Sequence, residues 1–126
     1  MKKLLVVDDE EEIRQFLLEF FEARDYTVVI AGTKEEACRK AQEERPHVAL
    51  LDVRMRNQGD GLDVLKWIRE QKLKVKIIMV TAIESQDVVQ QAISLGADDY
   101  ITKPLSLEYL ESSVSKKVAD RMTNSE

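Results

Sequence analysis

Cysteine, histidine and proline are all scarce in this chain. Cys38 is the one cysteine, so no disulfide can close within the chain, and a reducing, cytoplasmic setting is expected. His47 is the one histidine; it precedes a predicted strand, lies away from the acids in sequence, and reads as a surface residue. Positive charge is in deficit. Nineteen lysines and arginines face 24 aspartates and glutamates, for a formal net charge of −5. That balance argues against direct nucleic-acid binding by this chain and against a grip on an anionic membrane. Long apolar runs are missing too. Only residues 4–7 separate the basic start from Asp8, Asp9 and Glu10, too few for a signal-peptide core or a membrane span. Repeats and low-complexity segments are likewise absent.

What remains is an ordinary globular composition, 126 residues with 44% hydrophobic and 34% charged, long enough to bury one full core. Short runs rich in Val and Ile alternate with stretches of helical period, the pattern of βαβ units and a mostly parallel sheet. In the first helix Ile13, Phe16, Leu17, Phe20 and Phe21 mark an inner face, and Glu11, Glu12, Arg14 and Glu22 an outer one. Residues 26–31 form the second strand. Thr33 opens the next helix, with Glu36 completing a capping box and Ala37, Cys38 and Ala41 facing inward. Pro46 stops that helix ahead of the third strand. A third helix turns Leu62, Leu65 and Ile68 inward; a fourth, 87–95, closes at Gly96. The fifth strand spans 99–102. Ser106 caps a last helix whose Leu107, Leu110, Val114 and Val118 share a face. One domain is expected over 1–121, with a polar, frayed tail over 122–126.

The chemistry collects where these runs end. Asp8 and Asp9 follow the first strand, Asp52 the third, Thr81 the fourth and Lys103 the fifth. In a parallel sheet these ends share the rim at which open α/β folds bind ligands. Clustered carboxylates suit a divalent cation, and a lysine with a threonine suits an anion such as a phosphoryl group. Asp8 and Asp9 taken alone could equally cap the first helix. Asp52 interrupts an apolar stretch, where an unpartnered carboxylate is costly.

Taken together, the Asp8, Asp9 pair, Asp52, Thr81 followed by Ala82, Lys103 followed by Pro104, and the lead-in 96–100 resemble the receiver domain of two-component response regulators, from Lys3 to about Lys117. The resemblance implies a flavodoxin-like, doubly wound sheet of five parallel strands, order 2-1-3-4-5, with helices on both faces. It implies that Asp52 accepts a phosphoryl group from a sensor histidine kinase or phosphotransfer protein. Mg²⁺ would be held by Asp8, Asp9, Asp52 and the main-chain oxygen of Arg54. Lys103 and Thr81 would bind phosphoryl oxygens, and the Lys103–Pro104 peptide would be cis. Thr81 and Tyr100 would act as the switch, read on the surface of helix four, strand five and the last helix, where Val89 and Ile93 are candidate contacts. A downstream effector domain or protein, and a homodimer formed on phosphorylation, are the partner modes implied. The chain would be a switch rather than a conventional enzyme, able to take phosphate from a small donor and to lose it again.

Two features depart from the family pattern. Arg56 stands where a proline is common, and Gly59 lengthens the loop ahead of Asp60 and Gly61 by one residue. Arg54 and Arg56 add positive charge near the expected phosphate; either at least one of them alters phosphoryl lifetime or kinase selection, or both point into solvent. The alternatives fit less well. A haloacid-dehalogenase-like phosphatase would want an Asp-x-Asp pair after the first strand. A flavodoxin-like electron carrier would need a phosphate cradle where three acids stand. A receiver fold that binds partners without being phosphorylated is the remaining alternative.

Overall fold

Alternate residues along a strand point to opposite sides of a sheet, and in this chain both sides are apolar. The structure, a computed structural model, describes residues 2–55, 57, 59–82 and 86–123. Five strands, β1 (Lys3–Val7), β2 (Thr27–Ala31), β3 (Val48–Asp52), β4 (Lys76–Ala82) and β5 (Asp99–Lys103), pair in parallel in the order β2-β1-β3-β4-β5. Between them lie α1 (Glu11–Glu22), α2 (Lys34–Glu44), α3 (Asp60–Glu70) and α4 (Gln86–Ser94).

Leu5, Val7, Ala49, Leu51, Ile77 and Met79 project to one side of the sheet, where Ala37 and Ala41 of α2, Val64, Leu65 and Ile68 of α3 and Ala92 of α4 cover them. Leu4, Val6, Val48, Leu50, Ile78, Val80 and Ile101 project to the other, under Leu17, Phe20 and Phe21 of α1 and the C-terminal helix. The three central strands, β1, β3 and β4, are thus held by packing on two faces. No helix among the described residues is long and apolar enough to cross a membrane.

Local chemistry sets the element ends. Thr33 Oγ accepts from the Glu36 amide at 3.1 Å. The Glu36 carboxylate reaches back past Thr33 to the Gly32 amide at 2.7 Å, one residue earlier than a capping box would place it. Arg45 adopts a left-handed conformation after α2, and Pro46 follows it. His47 is no plain surface group. It is half-buried, and its Nδ1 accepts from the Lys3 amide at 3.1 Å, tying the starts of β1 and β3 together.

The C-terminal helix begins behind Ser106, whose Oγ accepts from the Tyr109 amide. It runs without a break through α5 (Leu107–Tyr109), a π-helical turn (Leu110–Val114) and α6 (Ser115–Thr123). Leu110, Val114, Val118 and Met122 are buried at a constant spacing of four. An α-helix of about 3.6 residues per turn over-rotates such a stripe. The wider π turn compensates and keeps the stripe on the sheet.

Four side chains therefore depart from the face the periodicity assigns. Phe16 is 37% exposed and Leu107 52% exposed, both at the edge of their helical stripes. Met122, expected in the tail, is buried at 5% and continues the inner row. Arg14, expected on the outer face, is half-buried and turns toward the end of β1. On α4, Val89 is half-buried and Ile93 exposed.

Met122→Ala is expected to cost about 2 kcal/mol, the scale of a truncated core methionine, and Leu107→Ala to stay within about 0.5 kcal/mol. Urea denaturation of the two variants beside wild type would check the contrast. Equal losses would contradict the burial assigned here.

Candidate functional site

The strand order brings the carboxyl ends of β1 and β3 side by side at the middle of the sheet. Val7 pairs with Leu51, so Asp8 and Asp52 emerge as neighbours; Asp52 pairs with Val80, Thr81 with Thr102, and Ala82 with Lys103. Asp8, Asp52 and Thr81 are each 3% exposed. Lys103 Nζ bridges the two acids, 3.1 Å from Asp52 Oδ2 and 3.5 Å from Asp8 Oδ2. The Lys103–Pro104 peptide is cis.

The remaining carboxylate oxygens are also engaged. The Arg54 amide donates to Asp52 Oδ1 at 3.2 Å, and the Glu10 amide to Asp8 Oδ1 at 2.9 Å. Asp8 thus holds the entry of α1 and faces Lys103 at once, so the capping and site roles coexist in one side chain. Glu10 itself is the extended residue that caps α1, and its side chain makes no cap bond.

Two carboxylates against one ammonium leave the rim short of positive charge. Burial, and after it the neighbouring charge of Asp8, pushes the Asp52 carboxyl up from 3.8 to about 7 against the pull of Lys103. Burial alone would lower the Lys103 ammonium. The charges of Asp52 and Asp8 outweigh it and hold Lys103 above the ordinary lysine value. Such a site gains from a further cation. Carboxylate oxygens of Asp8, Asp9 and Glu10 all lie within 4.8 Å of one another, Asp8 buried and the other two exposed. An all-oxygen carboxylate set fits a hard divalent cation. Glu10 was legible only as the third acid of its run, and its place in the cluster comes from the turn into α1.

A cleft of about 330 Å³ opens beside Asp52, with Arg54, Gly59, Thr81 and Lys103 around it and Leu62, Val80 and Val88 as apolar walls. Among the described residues, the Thr81 hydroxyl donates to the Ala82 oxygen at 3.4 Å, the long end of hydrogen-bonding range. Arg54 is exposed at the cleft wall; Arg56 lies outside the described residues.

The loop that separates Asp52 from α3 ends in Gly59, left-handed at φ +95°, where a side chain would be strained. Gly61 packs directly on the Asp52 main-chain oxygen, and a Cβ there would lie 2.7 Å from Val53 Cα. Its amide donates to the Val53 oxygen at 3.0 Å. Its role is to let α3 approach the backbone that carries Asp52, something only the packed structure reveals.

Tyr100 stands apart from this group. Its register partner is Met79, it is 40% exposed, and Lys117 Nζ lies 5.5 Å from the ring centroid while donating to the Tyr100 main-chain oxygen. A second cleft, about 300 Å³, lies between Tyr100, Thr102, Ala82 and Val89. It lies beside Ala82 at the end of β4 and against β5.

Comparison with known proteins places this geometry. The response regulator receiver domain model matches residues 4–115. The chain is 46% identical over 105 residues to the alkaline phosphatase synthesis transcriptional regulatory protein PhoP of Bacillus subtilis, covering 83% of this chain and 43% of that one. It is 34% identical to the probable C4-dicarboxylate response regulator DctR of the same organism, covering 90% and 51%. The chain therefore spans about half the length of these curated relatives. Among solved structures, the receiver domain of the Francisella response regulator 1452 superposes with a TM-score of 0.86 at 27% identity, covering 98% of each chain. The response regulator domain of Thermotoga maritima CheB gives 0.85 at 31% identity, covering 98% and 97%.

The raised Asp52 pKa sets a pH dependence whose sign can be worked out. A carboxyl at 3.8 unfolded and about 7 folded contributes stability that is present below pH 3.8 and lost as the pH rises through about 7. In EDTA at pH 8, Asp52→Asn is expected to be more stable than wild type by roughly 1–3 kcal/mol, the gain fading toward pH 4. Thermal melts across that range would check it, and parallel curves for the two proteins would refute it.

Proposed function

The chain belongs to the response regulator receiver domain family, and from that premise we propose that Asp52 is the phosphoacceptor of a phosphorylation-driven signalling switch. The observation that carries this reading is the Lys103 ammonium shared between Asp52 and Asp8 in a buried, oxygen-lined rim. In the transfer, an Asp52 carboxylate oxygen attacks phosphorus as the bond to the donor breaks. The donor is a phosphohistidine, whose leaving imidazole nitrogen takes up a proton, or a small acyl phosphate, whose leaving oxygen departs as a carboxylate. Lys103 is already charged and already in place, so it can exchange the carboxylate for a phosphoryl oxygen without leaving its position. The Thr81 hydroxyl, weakly engaged at rest, donates to a second phosphoryl oxygen.

Asp8 and Asp9, with Asp52 and the main-chain oxygen of Arg54, are the groups we assign to Mg²⁺. When bound, Mg²⁺ supplies neutralisation of charge between an anionic donor and an anionic acceptor. The family premise supplies histidine kinases and effectors as its partners. For a kinase or phosphotransfer protein we favour the groove of about 510 Å³ formed by Ile13 and Phe16 of α1 with Pro104 and Leu105. It is apolar, and it shares Lys103 and Ala82 with the site, so a phosphohistidine carried on a helix seated there would reach Asp52.

Readout follows from Thr81. Drawing its hydroxyl toward the phosphoryl group vacates space toward the second cleft, into which the exposed Tyr100 ring can turn. The surface that changes is α4, β5 and α6, where Ile93, Tyr100 and Lys117 are presented. A local charge change is thereby converted into an altered binding face for an effector or a second copy.

Intact mass after incubation with Mg²⁺ and acetyl phosphate tests the acceptor. Wild type is expected to gain one phosphate, Asp52→Asn none, and EDTA to abolish the adduct. No adduct, together with no Mg²⁺ binding, would leave a receiver fold that binds partners without phosphorylation. On the phosphorylated protein, Arg54→Ala is expected to change the decay rate about twofold to fivefold, the scale of one exposed charge. Superimposable decay curves would assign Arg54 to solvent.

A further inference from the structure

The acid loop after β1 is held by a side chain that composition and period assigned to solvent. Arg14 donates from its guanidinium to the Asp8 main-chain oxygen at 2.7 Å, a short, charge-assisted bond. Besides the Glu10 amide and Lys103 on the Asp8 carboxylate, the loop is tied by main-chain bonds. The Asp8 amide donates to the Ala31 oxygen at 3.2 Å, and the Arg14 amide to the Glu10 oxygen at 3.1 Å. The Asp8 oxygen and the Asp9 amide belong to one rigid peptide plane. Anchoring that oxygen therefore fixes the plane from which Asp9 departs, and with it the spacing of the Asp8 and Asp9 carboxylates.

The same terminal nitrogen, Nη1, that donates to Asp8 is the Arg14 atom nearest Gly32, directly after β2. A Cβ at Gly32 would lie 2.7 Å from the nearer terminal nitrogen of Arg14 and 3.1 Å from its Cζ. Gly32 is not among the left-handed residues, so its backbone does not require glycine. Its amide is held by the Glu36 carboxylate at 2.7 Å, which pins the turn. With the turn pinned, an added methyl group has to displace the flexible end of Arg14.

We infer that Arg14 is a positioning residue for the cation site at Asp8 and Asp9, and that Gly32 is the notch that admits it. The inference rests on the reading that these acids hold Mg²⁺. Two effects of Arg14 oppose each other. As a positive charge near the site it weakens cation binding; as an anchor of the Asp8 oxygen it strengthens it. Arg14 is half-buried with its charge screened by solvent, whereas the anchoring acts directly on the peptide that carries the ligands. Anchoring therefore dominates.

The test measures Mn²⁺ and Mg²⁺ affinity by calorimetry for wild type, Arg14→Ala, Arg14→Lys, Gly32→Ala and the Arg14→Ala, Gly32→Ala double variant, each with a thermal melt. Arg14→Ala and Gly32→Ala are each expected to weaken binding about tenfold, the low end for groups that support metal ligands. The double variant is expected to be no weaker than Arg14→Ala alone, since both changes remove one contact. Arg14→Lys should recover part of the loss. Affinity in Arg14→Ala equal to or tighter than wild type would overturn the inference, as would losses that multiply in the double variant. Wild type that binds neither cation would bring down the cation reading of the acids first, and the inference with it.

Discussion

One ammonium shared by two buried carboxylates is the interaction on which this molecule is organised. Lys103 reaches Asp52 and Asp8 from the far end of the chain, across a separation of 51 residues for Asp52. The arrangement has one negative charge too many. That imbalance is expensive in a buried rim, and it raises the Asp52 carboxyl toward neutrality. A cation or a phosphoryl group changes the balance in opposite directions, so the same excess that strains the resting site makes it responsive to both.

Holding such a site needs a rigid support, and the sheet provides it. The three strands at its centre are packed on both faces, so β1, β3 and β4 present Asp8, Asp52 and Thr81 from backbone that has little freedom to yield. Gly61 brings α3 against the main chain of Asp52 itself. Rigidity falls off toward β5. Of α4, only Ala92 is fully buried, and Tyr100 and Ile93 face outward. The element beside the site that carries least burial is also the one best suited to change its arrangement.

The family and the fold bear on this chain in different ways. The solved relatives share the whole of it, whereas the curated regulators extend to about twice its length. On the reading proposed above, the output lies with whatever engages the α4, β5 and α6 face, whose chemistry is an exposed isoleucine and a tyrosine flanked by lysine.

Much of the plan was legible in one dimension. Apolar runs of strand length alternating with helical stripes determined a parallel α/β sheet, and an acid, a hydroxyl and a lysine at the run ends marked one rim, because strands in parallel finish on the same side. The turn chemistry of Thr33 and Ser106 was equally local. Tertiary structure decided the rest. Phe16 and Leu107 lie at stripe edges, where exposure depends on the neighbouring element rather than on period, and Met122 is buried because a π turn keeps its row over the sheet. Arg14 turned inward because Gly32, eighteen positions on, leaves room for it. The Asp52 carboxyl acquired its raised pKa from groups that are distant in sequence and adjacent only in the fold. Periodicity reports which face of an element is apolar; charge coupling and close approach depend on which elements meet, and only packing determines that.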